Sequence, residues 1–389
     1  MIRSVKALTA SSFMSMFFLG VSASLIGATA RNIGLTPFQI GLLIAVQNIG
    51  FILSVSISGY LSDTYEKPKI LMVGSLILGL SFLAFYVTGL FWINLIIILF
   101  IGVGTGTYEG VTDTMLLEIY PRRQNFYINL NHFFVTFGAL LIALYLTFLQ
   151  LNWRISMVQS GFVVLLLALF FGLARLANTQ TQAESYVAGL KLLIRERTVV
   201  VLFILMALII GVEVGAIGIL TTFLTELRGF AQVTANIGLV IFLAGIATGR
   251  LVVGYFAKEK HLAQYILGLL GLSFLFFSVL FFVELDGLLI YLNIYLAGMA
   301  LSALTPLVIT LGGLLYEYMA GTVLGTIKMA MPVGGILISL LMSVIARQIS
   351  LQAALLIFPA TLLTAFVILF LALRRTKSLQ MVGAVERAS

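Results

Sequence analysis

Mostly apolar stretches long enough to span a membrane recur about twelve times along the chain, separated by short polar segments, with few charges inside them. A run of roughly 20 apolar residues crosses hydrocarbon as a helix, because every backbone N–H and C=O must be bonded internally where water is absent. The pattern predicts an all-α membrane protein with spans at Ala7–Thr29, Phe38–Tyr60, Ile70–Gly89, Asn94–Ile119, Phe126–Leu149 and Trp153–Leu176. A second set follows at Val199–Thr225, Val233–Ala257, Ala263–Val283, Leu288–Tyr318, Thr322–Ala346 and Leu351–Leu373. Residues 1–176 and 199–373 then form two six-helix bundles, with a cytoplasmic linker at 177–198 and a tail at 374–389. In the linker, the basic cluster Lys191, Arg195 and Arg197 is set against Val187, Leu190, Leu192, Leu193 and Ile194, which predicts a partly amphipathic segment on the inner membrane surface.

Composition agrees with this pattern: 61% of residues are hydrophobic and 9% charged, and the mean hydropathy is +1.16. With the N-terminus inside, sixteen Lys and Arg residues fall in cytoplasmic segments and four, Arg31, Arg154, Arg228 and Arg347, outside. That asymmetry predicts that both termini are cytoplasmic and that the protein lies in the cell membrane, inner or plasma. Topology and lipid headgroups account for the pI near 9.7, so the positive charge calls for no nucleic-acid partner. Met1–Ala30 has the basic start and small-residue triplet of a secretory signal, but its apolar run exceeds a signal core and eleven spans follow it. It reads as the first helix. No cysteine is present, which excludes thiol chemistry and disulfides.

The two halves echo one another. Gly59 and Gly254 are 195 residues apart, and Gly138 and Gly334 are 196 apart, as a parallel duplication would produce. The segment Gly59-Tyr60-Leu61-Ser62-Asp63-Thr64-Tyr65-Glu66-Lys67-Pro68-Lys69 resembles the loop motif of the major facilitator superfamily, and Gly249-Arg250-Leu251-Val252-Val253-Gly254 resembles its second-half counterpart. The match holds at Gly59, Leu61, Asp63, Lys67 and Lys69 and departs at Thr64, Glu66 and Pro68. This resemblance implies twelve transmembrane helices arranged as two pseudo-symmetric bundles, the major facilitator fold. It also implies a gate at Gly59, Asp63, Lys67, Lys69, Gly249, Arg250 and Gly254. Asp63 is expected either to accept the exposed N–H groups at the start of the eleventh helix, near Gly321, Thr322 and Thr326, or to sit in a solvated turn.

Inside the fourth span, Gly102-Val103-Gly104-Thr105-Gly106-Thr107-Tyr108-Glu109-Gly110-Val111-Thr112-Asp113 carries glycines at alternate positions and two acids on one helical face. Two carboxylates at membrane depth are costly unless they are paired or line a cavity. The run Asn129-Leu130-Asn131-His132-Phe133-Phe134 and this fourth helix resemble fucose permease-type sugar:proton symporters, although the first helix lacks the acid some of those permeases use. Asp113 lies ten residues before Arg123 and His132 nine after it, so at 1.5 Å per residue both are about 14 Å deep and able to pair. Such a pair serves either as a proton relay or as a structural bond. Lys328 stands 196 residues from His132, and either meets an anion inside the bundle or snorkels to the surface.

These residues predict a proton-coupled secondary transporter for a small polar solute, a sugar or related metabolite, that works by alternating access as a monomer. Glu109, Asp113, Glu213 and His132 are the proton-coupling candidates. Glu109, Glu213, Tyr108, Asn293, Thr305 and Lys328 are the substrate-binding candidates, with Trp92, Tyr291 and Tyr295 as further rings for stacking. Two unpaired histidines and no phosphate-binding glycine-lysine loop leave no metal, cofactor or ATP chemistry to expect, and no enzyme. A drug or lipid exporter of the same superfamily is the second reading, disfavoured because Gly138-Ala139-Leu140-Leu141-Ile142 lacks the proline of the drug antiporters' fifth-helix motif. A non-transporting membrane receptor is the third.

Overall fold

The structure, a computed structural model, describes residues 4–35, 37–148, 152–176 and 195–375. Six long helices make up the first part: α1 (Val5–Ile33), α2 (Pro37–Thr64), α3 (Lys67–Ala84), α4 (Phe91–Ile119), α5 (Gln124–Phe148) and α6 (Trp153–Leu173). The second part continues with α7 (Arg197–Thr222), α8 (Gln232–Phe256), α9 (Leu262–Phe282), α10 (Leu288–Ser302) and α11 (Leu304–Leu315). It ends with α12 (Ala320–Lys328), α13 (Ala330–Gln348), α14 (Leu351–Leu355) and α15 (Ile357–Arg375). Among the described residues, eleven helical stretches are long and apolar enough to cross a membrane. The 25-residue α5, over the fifth apolar stretch, brings the long helices into line with the twelve expected. Most of the expected linker and tail lies outside the described residues.

All six prolines mark helix boundaries. Pro37 opens α2, Pro68 sits in the first turn of α3, and Pro121 lies in the turn before α5. The other three lie inside apolar spans, and each helix breaks three residues earlier: at Ala303 before Pro306, at Met329 before Pro332 and at Leu356 before Pro359. A proline has no N–H to give the carbonyl four residues back, and its ring crowds that carbonyl. The tenth, eleventh and twelfth spans are therefore each two helices. The third span also ends earlier than its apolar run, because the Asn94 side chain accepts the Tyr86 N–H at 2.6 Å and folds residues 85–90 into a turn. Tyr86 itself takes a φ of 52° there.

Contacts divide the chain into two units. The first takes its described residues from Met1–Arg123, Leu130–Lys191 and Tyr316–Met329; the second from Gln124–Asn129, Leu192–Leu315 and Ala330–Ser389. In the first, α2 packs on α4 and on α12, and α3 packs on α4 and α6. In the second, α8 packs on α10, α7 on α13, and α9 on α15. The repeat read from the glycines reappears as matching close approaches. A Cβ at Gly138 would strike the Phe17 carbonyl of α1, and one at Gly334 the Ala207 carbonyl of α7. Gly102 likewise meets the Gln47 carbonyl of α2, and Gly298, 196 residues on, meets the Phe242 carbonyl of α8. Helix pairs that touch backbone to backbone need small residues at the crossing, and both halves place them at the same repeat positions.

Candidate functional site

The alternating glycines of α4 serve two packing faces. Gly102, Gly106 and Gly110 abut α2 at Gln47, Phe51 and Ser58, whereas Gly104 abuts α3 at Leu78. With both sides in close contact, the acids between them are shut off from solvent. Glu109 is 1% exposed, Asp113 and Lys328 are 0%, and His132 is 3%. Charges so enclosed must find partners.

They find one another. Lys328, the last residue of α12, places Nζ 2.5 Å from Asp113 Oδ2 and 3.0 Å from Glu109 Oε1, and also donates to the Glu109 backbone carbonyl. His132 Nε2 lies 3.0 Å from Asp113 Oδ2 and 3.8 Å from Glu109 Oε1. Asn131 Nδ2 donates to Asp113 Oδ1 at 2.8 Å, and Ser12 of α1 donates to Asn131 Oδ1 at 3.2 Å. Of the two readings of Lys328, pairing inside the bundle is the one observed. The donor atoms of Glu109, Asp113 and His132 lie within 4.8 Å of one another, a spacing that could grip a metal ion. The Lys328 ammonium already fills that cationic role. Asn131 and Ser12 were not among the sequence candidates; Asn131 stood in the Asn129-Leu130-Asn131-His132 run, and nothing in the sequence marked Ser12.

In the second unit Glu213 of α7 pairs with Arg250 of α8, Nη2 to Oε1 at 3.0 Å. Arg250 Nε donates to the Ser302 carbonyl at 3.2 Å. That carbonyl lies four residues before Pro306, so it is the one the proline leaves without its helical donor. One guanidinium thus ties α7 and α8 to the broken end of α10, and Gly249 admits the approach, since a Cβ there would strike Met299 and Ser302. Among the described residues, Glu213 Oε2 and Thr305 Oγ1 are buried without a hydrogen-bond partner. Arg250→Gln should lower the melting temperature by removing a charged donor worth about 1.5–3 kcal/mol and orphaning Glu213. Adding Glu213→Gln should recover part of the loss, and Pro306→Ala, which restores an N–H for Ser302, the rest. Thermal melting of the three variants checks this, and no recovery from Pro306→Ala would remove the carbonyl role.

The loop-motif residues lie at or within two turns of helix ends. Asp63 accepts the N–H groups of Gly321 and Thr322 at 2.8 Å each and the Thr322 hydroxyl at 2.6 Å, as expected for the start of the eleventh span. Thr326 instead bonds the Thr322 carbonyl. Gly59 lets α2 meet α12 backbone to backbone, at Gly321 and Gly325. Lys67 pairs with Glu118 at 2.7 Å, and Lys69 with Glu66 at 3.3 Å. Glu66 also holds Arg175 at 3.0 Å, which gives its departure from the motif a purpose. Gly254 packs on Asn129, and Asn125 Nδ2 donates to the carbonyls of Gly254 and Ala257. Glu259 Oε1 accepts the Asn125 N–H at 3.3 Å. Glu259 is 196 residues after Asp63, and Gly321 is 196 after Asn125, so the two carboxylates cap equivalent helix starts. The repeat offset was the signal that could have found Glu259.

Of the aromatic candidates, Tyr108 needs correction. Tyr108 is fully buried with its hydroxyl bonded to Ser75 at 2.7 Å, so its ring packs within the helices and presents no face for stacking. Trp92 is 70% exposed at the first turn of α4. Tyr295 bonds Thr248 at 2.7 Å, and Tyr291 reaches the Thr234 carbonyl at 3.3 Å. Asn293 donates to the Phe276 carbonyl at 3.1 Å and joins α10 to α9, a helix-to-helix bond in place of a free amide.

Long apolar helices in a repeated pattern, with buried charges paired inside each unit, define a polytopic membrane protein. A family model described as Major Facilitator Superfamily matches residues 8–337, and the chain belongs to that family. It is a transporter of that superfamily and not an enzyme. Similar solved structures include the Escherichia coli fucose:proton symporter FucP, with TM-score 0.76 at 18% identity over 95% of this chain and 99% of that one. The proton:xylose symporter XylE gives TM-score 0.76 at 16% identity over 98% of each chain. The human organic anion transporter MFSD10 gives 0.75 at 14% identity over 95% of this chain and 100% of that one. No curated protein sequence matches significantly.

Proposed function

We propose that this protein is a proton-coupled secondary active transporter that moves a small polar solute, a sugar or related metabolite, by alternating access. The observation that carries the reading is the enclosed set of Glu109, Asp113, His132 and Lys328. Two carboxylates face one ammonium, so with a neutral imidazole the set carries one negative charge and a single proton brings it to zero. Enclosure penalises the charged form, whereas wetting or loss of Lys328 changes the balance, and proton occupancy follows conformation. Lys328 comes from the second half of the sequence and its partners from the first, so a shift of α12 against α4 and α5 breaks these bonds. Glu213 and Thr305, each with a buried oxygen free of hydrogen bonds among the described residues, are the second-half candidates for solute contact. The FucP and XylE neighbours, both proton symporters of sugars, support the same reading. The Lys and Arg distribution supports a cell-membrane protein with cytoplasmic termini.

The test is uptake into proteoliposomes. Labelled sugars and sugar acids should accumulate when the outside is made acidic, and a protonophore should abolish accumulation. Substrate-dependent proton release with efflux would favour the exporter, and tight binding without movement would favour a receptor.

The Asp63 latch adds a separate expectation. Asp63→Asn turns an amide N–H toward backbone donors and loses charge-assisted bonds of about 1.5–3 kcal/mol. Transport should fall about tenfold or more while solute affinity in detergent changes by less than about twofold. Equal loss of both would place Asp63 in the binding site instead.

A further inference from the structure

A cavity of about 650 Å³ opens between the start of α7 and the end of α15. Its walls divide by chemistry. Val201, Ile368 and Leu371 line the apolar part, and Arg195, Glu196 and Arg197 stand around its polar end. Neither Arg195 nor Arg197 makes a hydrogen bond or ion pair with any described residue, and both are exposed. Glu196, the residue preceding α7, makes no side-chain cap bond, so it leaves the first-turn N–H groups of that helix unsatisfied by its carboxylate. Arg374, stacked over Phe370 at 4.3 Å, adds another positive charge one turn beyond Leu371.

We propose that this groove binds an anionic phospholipid, with the phosphate held by Arg195 and Arg197 and an acyl chain laid along Val201, Ile368 and Leu371. Two guanidiniums without partners among the described residues, at the end of an apolar slot, match a ligand that is anionic at one end and hydrocarbon at the other. Arg suits this role because its planar fork pairs with phosphate oxygens bidentately. A basic pocket between helices where an apolar span meets its polar flank is a recurrent way to hold acidic headgroups. The apolar slot is what commits the site to a lipid over free phosphate. Bound there, the lipid joins the segment that enters α7 to the last helix, α15. The two guanidiniums outnumber Glu196, so the polar end is net positive and selects against zwitterionic headgroups.

The experiment measures thermal melting of the full-length protein in detergent with added phosphatidylglycerol, phosphatidylcholine or inorganic phosphate. Phosphatidylglycerol should raise the melting temperature by several degrees, phosphatidylcholine should do so much less, and phosphate alone should have no effect. In Arg195→Gln/Arg197→Gln the apparent affinity for phosphatidylglycerol should fall roughly 30-fold, with the lipid-free melting temperature unchanged. A second variant, Leu371→Trp, fills the slot and leaves both arginines; it should also weaken the response. Equal stabilisation by phosphatidylcholine would overturn the proposal, as would stabilisation by phosphate alone. An unchanged phosphatidylglycerol response in both variants would do the same.

Discussion

Lys328→Ala is expected to abolish transport and to destabilise the protein by about 3–5 kcal/mol, the usual result of removing one member of a buried ion pair. The magnitude follows from what is left behind: Asp113 and Glu109, 0% and 1% exposed, without the ammonium that sits between them. Lys328→Arg keeps the charge in a bulkier form and should retain part of the stability. The double variant Lys328→Ala/Asp113→Asn removes one charge of each sign, so it should recover much of the lost stability without recovering transport. Melting temperature and uptake, measured on the three variants, separate the pair's structural role from its functional one. Native uptake and native melting temperature in Lys328→Ala would show that neither role exists.

The spans were legible because the bilayer imposes a single rule on backbone bonding, and a run of apolar residues satisfies it in only one way. The breaks within them were legible in principle. Each of Pro306, Pro332 and Pro359 removes the donor of one carbonyl, and each break falls three residues upstream. Depth counting from the Arg123 turn placed Asp113 opposite His132, and the two lie 3.0 Å apart, because helical rise is regular enough to carry across one hairpin. Lys328 was harder. Its distance into the span fitted both snorkelling and pairing, and only the approach of α12 to α4, which depends on contacts far apart in sequence, decides between them. Tyr108 was misread for a related reason: a tyrosine in an apolar helix reads the same whether its ring faces a cavity or a neighbouring helix. Ser12 and the Glu118 partner of Lys67 depend on tertiary pairing in the same way.

Glu109→Gln is expected to abolish gradient-driven accumulation while preserving counterflow exchange of labelled for unlabelled solute. The two acids of α4 are not equivalent in their bonding. Asp113 is held by Asn131, His132 and Lys328 through both oxygens, so Asp113→Asn should loosen the fold along with the coupling. Glu109 contacts Lys328 at 3.0 Å and His132 only at 3.8 Å, which leaves it the acid freer to exchange a proton without dismantling the cluster. An amide at Glu109 keeps the shape and fixes the neutral state, so the carrier can cycle with solute on both strokes but gains nothing from the proton gradient. Counterflow needs no net proton movement and should persist within a few-fold of the native rate. Glu213→Gln tests the alternative carrier; because Glu213 is engaged by Arg250 at 3.0 Å, its amide should weaken solute affinity and stability before it uncouples. If Glu109→Gln, Asp113→Asn and Glu213→Gln all still concentrate solute in a protonophore-sensitive way, no carboxylate carries the proton. The His132 imidazole, 3.0 Å from Asp113, is then the remaining group within the enclosed set able to carry the proton.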